Sequence, residues 1–285
     1  LSKVKLRKNR EKCFIDFHEI NEATILSFPY AKISFFKVNH SIPDSVGMNI
    51  QTGSGSIVYT GDFKFDQSAD RLYRSNISKM ASIGDSGVLC LLSDSTEAEK
   101  AGYTPSEVQV GNSIEEIFDK SKGRVIFACY ASSINAIQRL FRASVQSGRK
   151  VVIIGKTLQS VYQISKKLGY IKVNDDVVIP YEEMDNYKNH QLAILMSGGQ
   201  GEPLEALQKM VKRSHKQLQV EKDDTIMIAA SPHRGGELFL IRTVDMLFRA
   251  GANVITGSRV HVSGHGREEE LKLMINLMKP KFFVP

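Results

Sequence analysis

The sequence predicts an α/β protein in two parts: a leading region of short strands, then a longer region of strands alternating with helices around a parallel sheet. Three observations predict it. Residues 1 to about 100 carry short strand-like runs separated by turns. From about 105 to 256, apolar runs of strand length alternate with amphipathic helical stretches. Those later runs are apolar throughout rather than at every second residue, which is the pattern of strands covered on both faces.

In the leading region the candidate strands are KISFFKVN, SIVYTGD and GVLCLLSD. GRVIFACY opens the alternating region, and SSINAIQRLFRASVQSG places Ile134, Ile137, Leu140, Phe141 and Val145 on one helical face. KVVIIG precedes TLQSVYQISKKLG, LAILMSG precedes EPLEALQKMVKRSH, and DTIMIAAS precedes ELFLIRTVDMLFRAG. NVITGS and RVHVSGH follow as strand-like runs, then the helix EEELKLMINLMK and a last strand-like run in KPKFFVP. In folds of this class ligands bind where strands end and loops begin. The candidate site segments are therefore NHSIPD, TGDFKFD, SDSTEA, CYASS, SGGQGEP, SPHRGGE and HVSGHG, each placed after a strand-like run.

Composition narrows the class of function. With 42% apolar and 24% charged residues, the chain has the balance of a soluble globular protein. No run approaches the roughly 18 apolar residues of a membrane span, and LSKVKLRKNREK lacks the apolar core of a secretion signal. The net charge of +7 suits a polyanionic partner such as nucleic acid, and a solvated basic surface suits it equally. Cys13, Cys90 and Cys129 are far apart and form no CxxC, so a reducing cytosol is expected, with Cys90 and Cys129 as buried thiols.

The chemistry gathers in few segments. His40 ends a strand, where a neutral imidazole is a well-aimed ligand for a divalent metal. Asp62 follows Gly61, whose freedom at positive φ lets the backbone turn and aim the carboxylate. A carboxylate can bridge two cations, as a two-metal hydrolase requires. Asp94, before Ser95 and Thr96, suits either a site role or a local turn cap. HVSGHG offers two imidazoles, a hydroxyl and glycine backbone, with His261, Ser263 and His265 on one face of an extended segment. Such a loop can hold a phosphate and move a proton. Ala131-Ser132-Ser133 stands at a helix start, where hydroxyls and N–H groups suit an anion, or one serine simply caps the helix.

The words around these residues carry a resemblance. VNHSIPDSVGMNIQT and GSIVYTGDFKFDQ resemble the ribonuclease J family of β-CASP metallo-β-lactamase hydrolases. The likeness continues through VLCLLSDSTEA, SGGQGEPLEAL, RVHVSGH and LMKPKFFVP, in order along the chain. It implies part of a metallo-β-lactamase αββα sandwich over 1–103 and 257–285, with a doubly wound α/β β-CASP domain inserted over 104–256. It further implies His40 as a zinc ligand, Asp62 as the ligand shared by two zinc ions, and Asp94 as the residue that orients a metal-bound histidine. Substrate phosphate would be gripped by Ala131, Ser132 and Ser133 and by His261, Val262, Ser263, Gly264 and His265. His265 would be the general acid or a stabiliser of the transition state, catalytic together with Asp62.

The implied activity is that of a cytoplasmic zinc-dependent ribonuclease, a 5′-to-3′ exonuclease with endonuclease ability in RNA processing and decay. Its partners would be RNA and further copies of itself or of a paralogue. The sequence departs from the family pattern in places. Ser133 stands where the family loop has Asn, and Ala136 where it has Arg. The histidines at 18, 40, 190, 215, 233, 261 and 265 include no HxH pair, so the HxHxDH motif is not among these residues, nor is the histidine expected after KFFVP. The expectation is a portion of a longer enzyme that cannot hold the dinuclear centre alone. The alternative is a weakly active, RNA-binding subunit of the second-paralogue type that supports an active partner.

Overall fold

The computed structural model describes residues 18–198, 203–231 and 235–285. The basic stretch of residues 1–12, Cys13, most of SGGQGEP, and His233 with Arg234 lie outside the described residues. Among the described residues the strands form two six-stranded sheets.

The first sheet holds β1 (Ile25–Ser27), β2 (Ala31–Lys37), β3 (Val46–Thr52), β4 (Gly55–Tyr59), β5 (Val88–Leu92) and β12 (Pro280–Val284), paired in that order. β1 to β4 form an antiparallel meander, and β4, β5 and β12 run parallel. Helices α1 (Ile77–Asp85) and α7 (Glu268–Met278) cover the sheet: Met80, Ile83, Leu271, Met274 and Met278 join Phe36, Val58 and Leu91 in one core. The helices touch closely at Gly84, where a Cβ would lie 1.9 Å from the Leu277 carbonyl oxygen. Asn76 caps α1 by accepting the Lys79 N–H.

The second sheet has the order β11-β10-β6-β9-β7-β8 and is parallel throughout. Its strands are β6 (Val125–Cys129), β7 (Lys150–Ile154), β8 (Val178–Ile179), β9 (Leu192–Met196), β10 (Thr225–Ala229) and β11 (Asn253–Ile255). Every residue of β6, β9 and β10 is buried, as continuous apolar runs predict. Alternate side chains feed two cores. On one face Val125, Phe127 and Cys129 pack with α2 (Glu107–Lys120), α3 (Ile134–Gln146) and α4 (Lys156–Lys167). On the other, Ile126 and Ala128 pack with α5 (Pro203–Val211) and α6 (Glu237–Arg249).

This distribution positions the sites. β6 and β7 lead into helices on one face, while β9 and β10 lead into helices on the other. Neighbouring strands therefore send their chains in opposite directions at β10/β6, β6/β9 and β9/β7, and such junctions are where crevices open at the carboxyl ends of strands.

Three expectations change. RVHV is not a strand: a 3-10 turn at Gly257–Arg259 leads into irregular backbone, and Val260 and Val262 are buried in the second sheet's core. Val145 is 54% exposed at the last turn of α3, off the buried face that Ile134, Ile137, Leu140 and Phe141 share. Cys90 is only partly buried, whereas Cys129 is fully so.

Candidate functional site

The site forms where the loops after β2, β4, β5 and β6 meet the 261–265 loop. Gly61 adopts φ 63°, and a Cβ there would lie 3.2 Å from the Val46 carbonyl oxygen, so the turn after β4 both needs and suits glycine. Thr60 Oγ1 donates to Gly61 O at 2.7 Å and accepts the Asp94 N–H at 3.0 Å, tying the turn before Asp62 to the end of β5. Asp62 is left with a side chain 56% exposed.

Asp94 is used in full. Oδ1 accepts the Thr96 N–H at 3.0 Å and the Thr96 hydroxyl at 2.7 Å; Oδ2 accepts the Phe63 N–H at 3.2 Å and lies 2.7 Å from His265 Nδ1. The local cap and the site role are thus both present in one carboxylate. The histidine it holds is His265. Burial disfavours the Asp94 charge, but hydrogen bonds from His265 and Thr96 outweigh it and hold the carboxyl at about 2. The same bond raises the His265 pKa above its ordinary value, against burial. With Nδ1–H donating to Asp94, the Nε2 edge of His265 is left for the cleft.

His40 is oriented from the other side. Its Nδ1 lies 2.9 Å from Gly264 O, so Nδ1 carries the proton and Nε2 keeps its lone pair, 3.6 Å from Asp62 Oδ2. Burial lowers the His40 pKa and favours the neutral, ligating form. The fit is close at Gly264, where a Cβ would meet His40 Nδ1 at 2.6 Å. The rings of His40 and His265 stand edge to face, centroids 5.4 Å apart. Donor atoms of Asp62, Asp94 and His265 all lie within 4.8 Å of one another. A neutral imidazole and a carboxylate side by side are suitable donors for a divalent metal. His40 Nε2 lies beside Asp62, and Asp62, Asp94 and His265 form a donor set at the same place, so the residues present fit a divalent metal.

A cleft of about 900 Å³ adjoins these residues, lined by His40, Tyr130, Ser132, Ser133, Ser231, His261, Ser263, Gly264 and His265 among others. Ser133 occupies the N-cap position of α3 without a side-chain cap bond, although its N–H is taken by Tyr130 O at 3.0 Å. Tyr130 OH donates to Ser231 O at 2.6 Å, joining the ends of β6 and β10 across their crevice. Ser263 Oγ accepts the His265 N–H at 3.1 Å, shaping the loop. His261 is held near 4 by burial, with the Lys64 and Arg139 cations adding, and is neutral at ordinary pH. Ala131 and Val262 belong to the hydrophobic core: their side chains anchor the two loops and leave only backbone to face a ligand.

Two residues that the sequence did not single out hold this assembly together. Lys64 is wholly buried, donates to Ser263 O at 3.0 Å and pairs with Glu107, which also pairs with Arg139. Glu270, equally buried, accepts N–H groups from Phe65 at 2.6 Å, Thr104 at 2.7 Å and Arg267 at 2.9 Å. The available signals were faint. Lys64 lies two residues from Asp62, and Glu270 is the third residue of a helix that opens with three glutamates.

Residues 122–247 match the model of the ribonuclease J β-CASP domain. Over 286 positions the chain is 49% identical to Ribonuclease J2 of Bacillus subtilis (strain 168), covering 100% of this chain and 52% of that protein. It is 42% identical to Ribonuclease J 2 of Staphylococcus epidermidis (strain RP62A), covering 99% of this chain and 50% of the relative. Among solved structures, a protein of unknown function from Enterococcus faecalis V583 shares the fold at a TM-score of 0.61 and 16% identity, over 95% of this chain and 61% of that one. The chain spans about half the length of the curated relatives it matches. With a β-CASP domain at its centre, a metallo-β-lactamase-related α/β fold and this likeness along its whole length, the chain belongs to the ribonuclease J family.

Proposed function

We propose that the longer protein of which this chain forms part hydrolyses RNA phosphodiester bonds, with the cleft of His40, Asp62 and His265 as the reaction site. One observation carries the reading: Asp94 holds His265 at 2.7 Å, beside the Nε2 edge of His40 and its neighbour Asp62. That arrangement sets a proton donor next to a metal-binding pair.

His40 and Asp62 would hold a divalent metal, zinc on the strength of the family, and such an ion supplies Lewis acidity toward the phosphoryl group. The chain's own residues do the rest. Ser132, Ser133 and Ser263, with backbone of the 131–133 and 261–265 loops, hold flanking phosphates and set the register of the strand. His265 gives its Nε2 proton to the departing oxygen while Asp94 stabilises the imidazolium. His261, kept neutral, lines the cleft as a polar but uncharged wall. The remaining family features are part of the same proposal: two zinc ions, 5′-to-3′ exonuclease with endonuclease action, a cytoplasmic role in RNA processing and decay, and assembly with a like chain. Among the described residues no helix is long and apolar enough to cross a membrane.

A second reading, an RNA-binding subunit with little turnover, draws on Ala136, which stands where the family loop has Arg and is buried in the core away from the cleft. Metal analysis of the full-length protein, together with cleavage of a 5′-monophosphorylated RNA, separates the two. The enzyme reading expects stoichiometric metal, and it expects His265→Ala to lose most turnover while RNA binding is retained. Absence of cleavage by metal-loaded wild type, with RNA still bound, favours the subunit. Turnover that is unchanged in His265→Ala refutes the assigned role.

A further inference from the structure

We propose that Lys64 is a positioning residue for the cleavage reaction: its one side chain sets where Ser263 and His265 stand relative to His40 and Asp62. The inference rests on the RNA-cleavage reading of the cleft and adds to it a residue that never meets the substrate.

Lys64 reaches both halves of the site. Its backbone serves the metal-binding pair. It lies two residues after Asp62, and its N–H donates at 2.9 Å to the carbonyl of Asn39, the residue before His40. Its side chain serves the loop that faces the pair, donating from Nζ to Ser263 O at 3.0 Å. That bond is the first of a row, because three successive carbonyls of the loop are each held by a donor from a different part of the chain. Ser263 O is held by Lys64, Gly264 O by the His40 imidazole at 2.9 Å, and His265 O by the Thr104 hydroxyl at 3.0 Å. Lys64 is wholly buried and lines no part of the cleft, so it can act on the reaction only through the loop it holds.

Packing alone does not call for a lysine here. A buried ammonium carries a desolvation cost, and an apolar side chain of similar length would fill the same space without it. Glu107 pairs with Lys64 and also with Arg139, so two buried cations share one carboxylate. Without Lys64, Glu107 and Arg139 would still form a balanced pair. What Lys64 adds is the bond to Ser263 O. A loop that has to hold phosphate and aim His265 depends on such a bond, since a misplacement of about 1 Å costs about 100-fold in turnover.

The test compares Lys64→Met with Glu107→Gln in the full-length, metal-loaded protein. Lys64→Met removes the bond to Ser263 O and leaves Glu107 paired with Arg139; Glu107→Gln keeps the bond and takes the carboxylate from between two buried cations. Lys64→Met should therefore be the more stable of the two in denaturant and yet the less active. Its kcat on a 5′-monophosphorylated RNA should fall about 100-fold with KM nearly unchanged, while Glu107→Gln keeps most of its turnover. A lysine that is merely structural gives turnover that follows stability; that order overturns the proposal, as does a wild-type kcat in Lys64→Met. Hydrogen exchange supplies a readout that needs no cleavage. The His265 N–H, which donates to Ser263 Oγ at 3.1 Å, and the Gly266 N–H, which donates to Phe63 O at 2.6 Å, should exchange faster in Lys64→Met while the amides of β2 and β4 do not change. Unaltered exchange at His265 and Gly266 overturns the proposal. If wild type binds RNA without cleaving it, the cleavage reading fails, and faster exchange in the loop still assigns its placement to Lys64. Should Lys64→Met not fold, Lys64→Met, Glu107→Leu and Arg139→Met together leave none of the three charges buried without a partner, and the triple variant should show the same loss of kcat.

Discussion

Replacing Asp94 with Asn tests whether one carboxylate supports both the loop after β5 and the acid at His265. The substitution keeps the shape and lets Oδ1 go on accepting from Thr96. At the other end an amide NH₂ would face the Phe63 N–H, donor against donor, and the His265 ring would have to accept rather than donate. The size follows from the titration. Asp94 sits at about 2 against an ordinary 3.8, a gap worth about 2.5 kcal/mol at 1.36 kcal/mol per pH unit. A charge-assisted hydrogen bond of about 1.5–3 kcal/mol gives the same scale.

The sign fixes a pH window. Asp94 has a lowered pKa, so its contribution is complete above 3.8 and is lost as pH falls toward 2. His265 has a raised one, so its contribution is complete below 6.5 and is lost as pH rises through the elevated folded value. The two describe one bond and are not added. Asp94→Asn should therefore lower stability by about 2 kcal/mol near pH 5, with a smaller deficit at both extremes. Thermal unfolding at a series of pH values measures the deficit, and NMR titration of the His265 ring measures its pKa, expected to fall to 6.5 or below. Equal stability of variant and wild type near pH 5, or an unchanged His265 titration, would refute the assignment.

Other substitutions probe other parts of the structure. Gly264→Ala would drive a methyl group into His40, 2.6 Å from Nδ1, and should weaken metal binding by the full-length protein about 10- to 100-fold, read by metal titration. Glu107→Ala removes the carboxylate between buried Lys64 and Arg139 and should cost about 3–5 kcal/mol in denaturant unfolding. Gly84→Ala pushes α1 off the Leu277 carbonyl and should cost about 1–3 kcal/mol or more, with the loss read from the melting temperature. Cys129, pushed up to about 12 by burial, should resist thiol reagents in the native protein and react on unfolding, whereas partly exposed Cys90 should label before it.

Much of the architecture was legible because burial on both faces leaves a plain mark. The runs VIFACY, LAILMSG and DTIMIAAS are apolar at consecutive positions, and β6, β9 and β10 are buried at every residue. RVHV misled for a related reason. Val260 and Val262 do share one buried side, as a strand's alternation implies, but irregular backbone buries them as well as a strand would, and among the described residues no strand pairs with it. The partners of charged residues left no local trace. Asp94 and His265 are 171 positions apart, and Lys64, which resembles a surface residue in FKFD, is buried through contacts with Glu107 and Ser263. Periodicity reports which side of an element is covered; it does not report what covers it.

Sheet order decided where the site lies. The strands and helices of 125–255 could be delimited from pattern, but β9 lies between β6 and β7 only because the chain crosses back after β8. That crossing makes the helix-bearing face alternate along β10, β6, β9 and β7. Had the strands lain in chain order, β7 and β9 would not have met, and Gly155 would not lie beside Ser197. The same alternation brings Tyr130 beside Ser231 and opens the cleft that faces His261 and His265. The residues that carry chemistry were recognisable by type and spacing, whereas their grouping around one cleft follows from a long-range ordering that no local segment encodes.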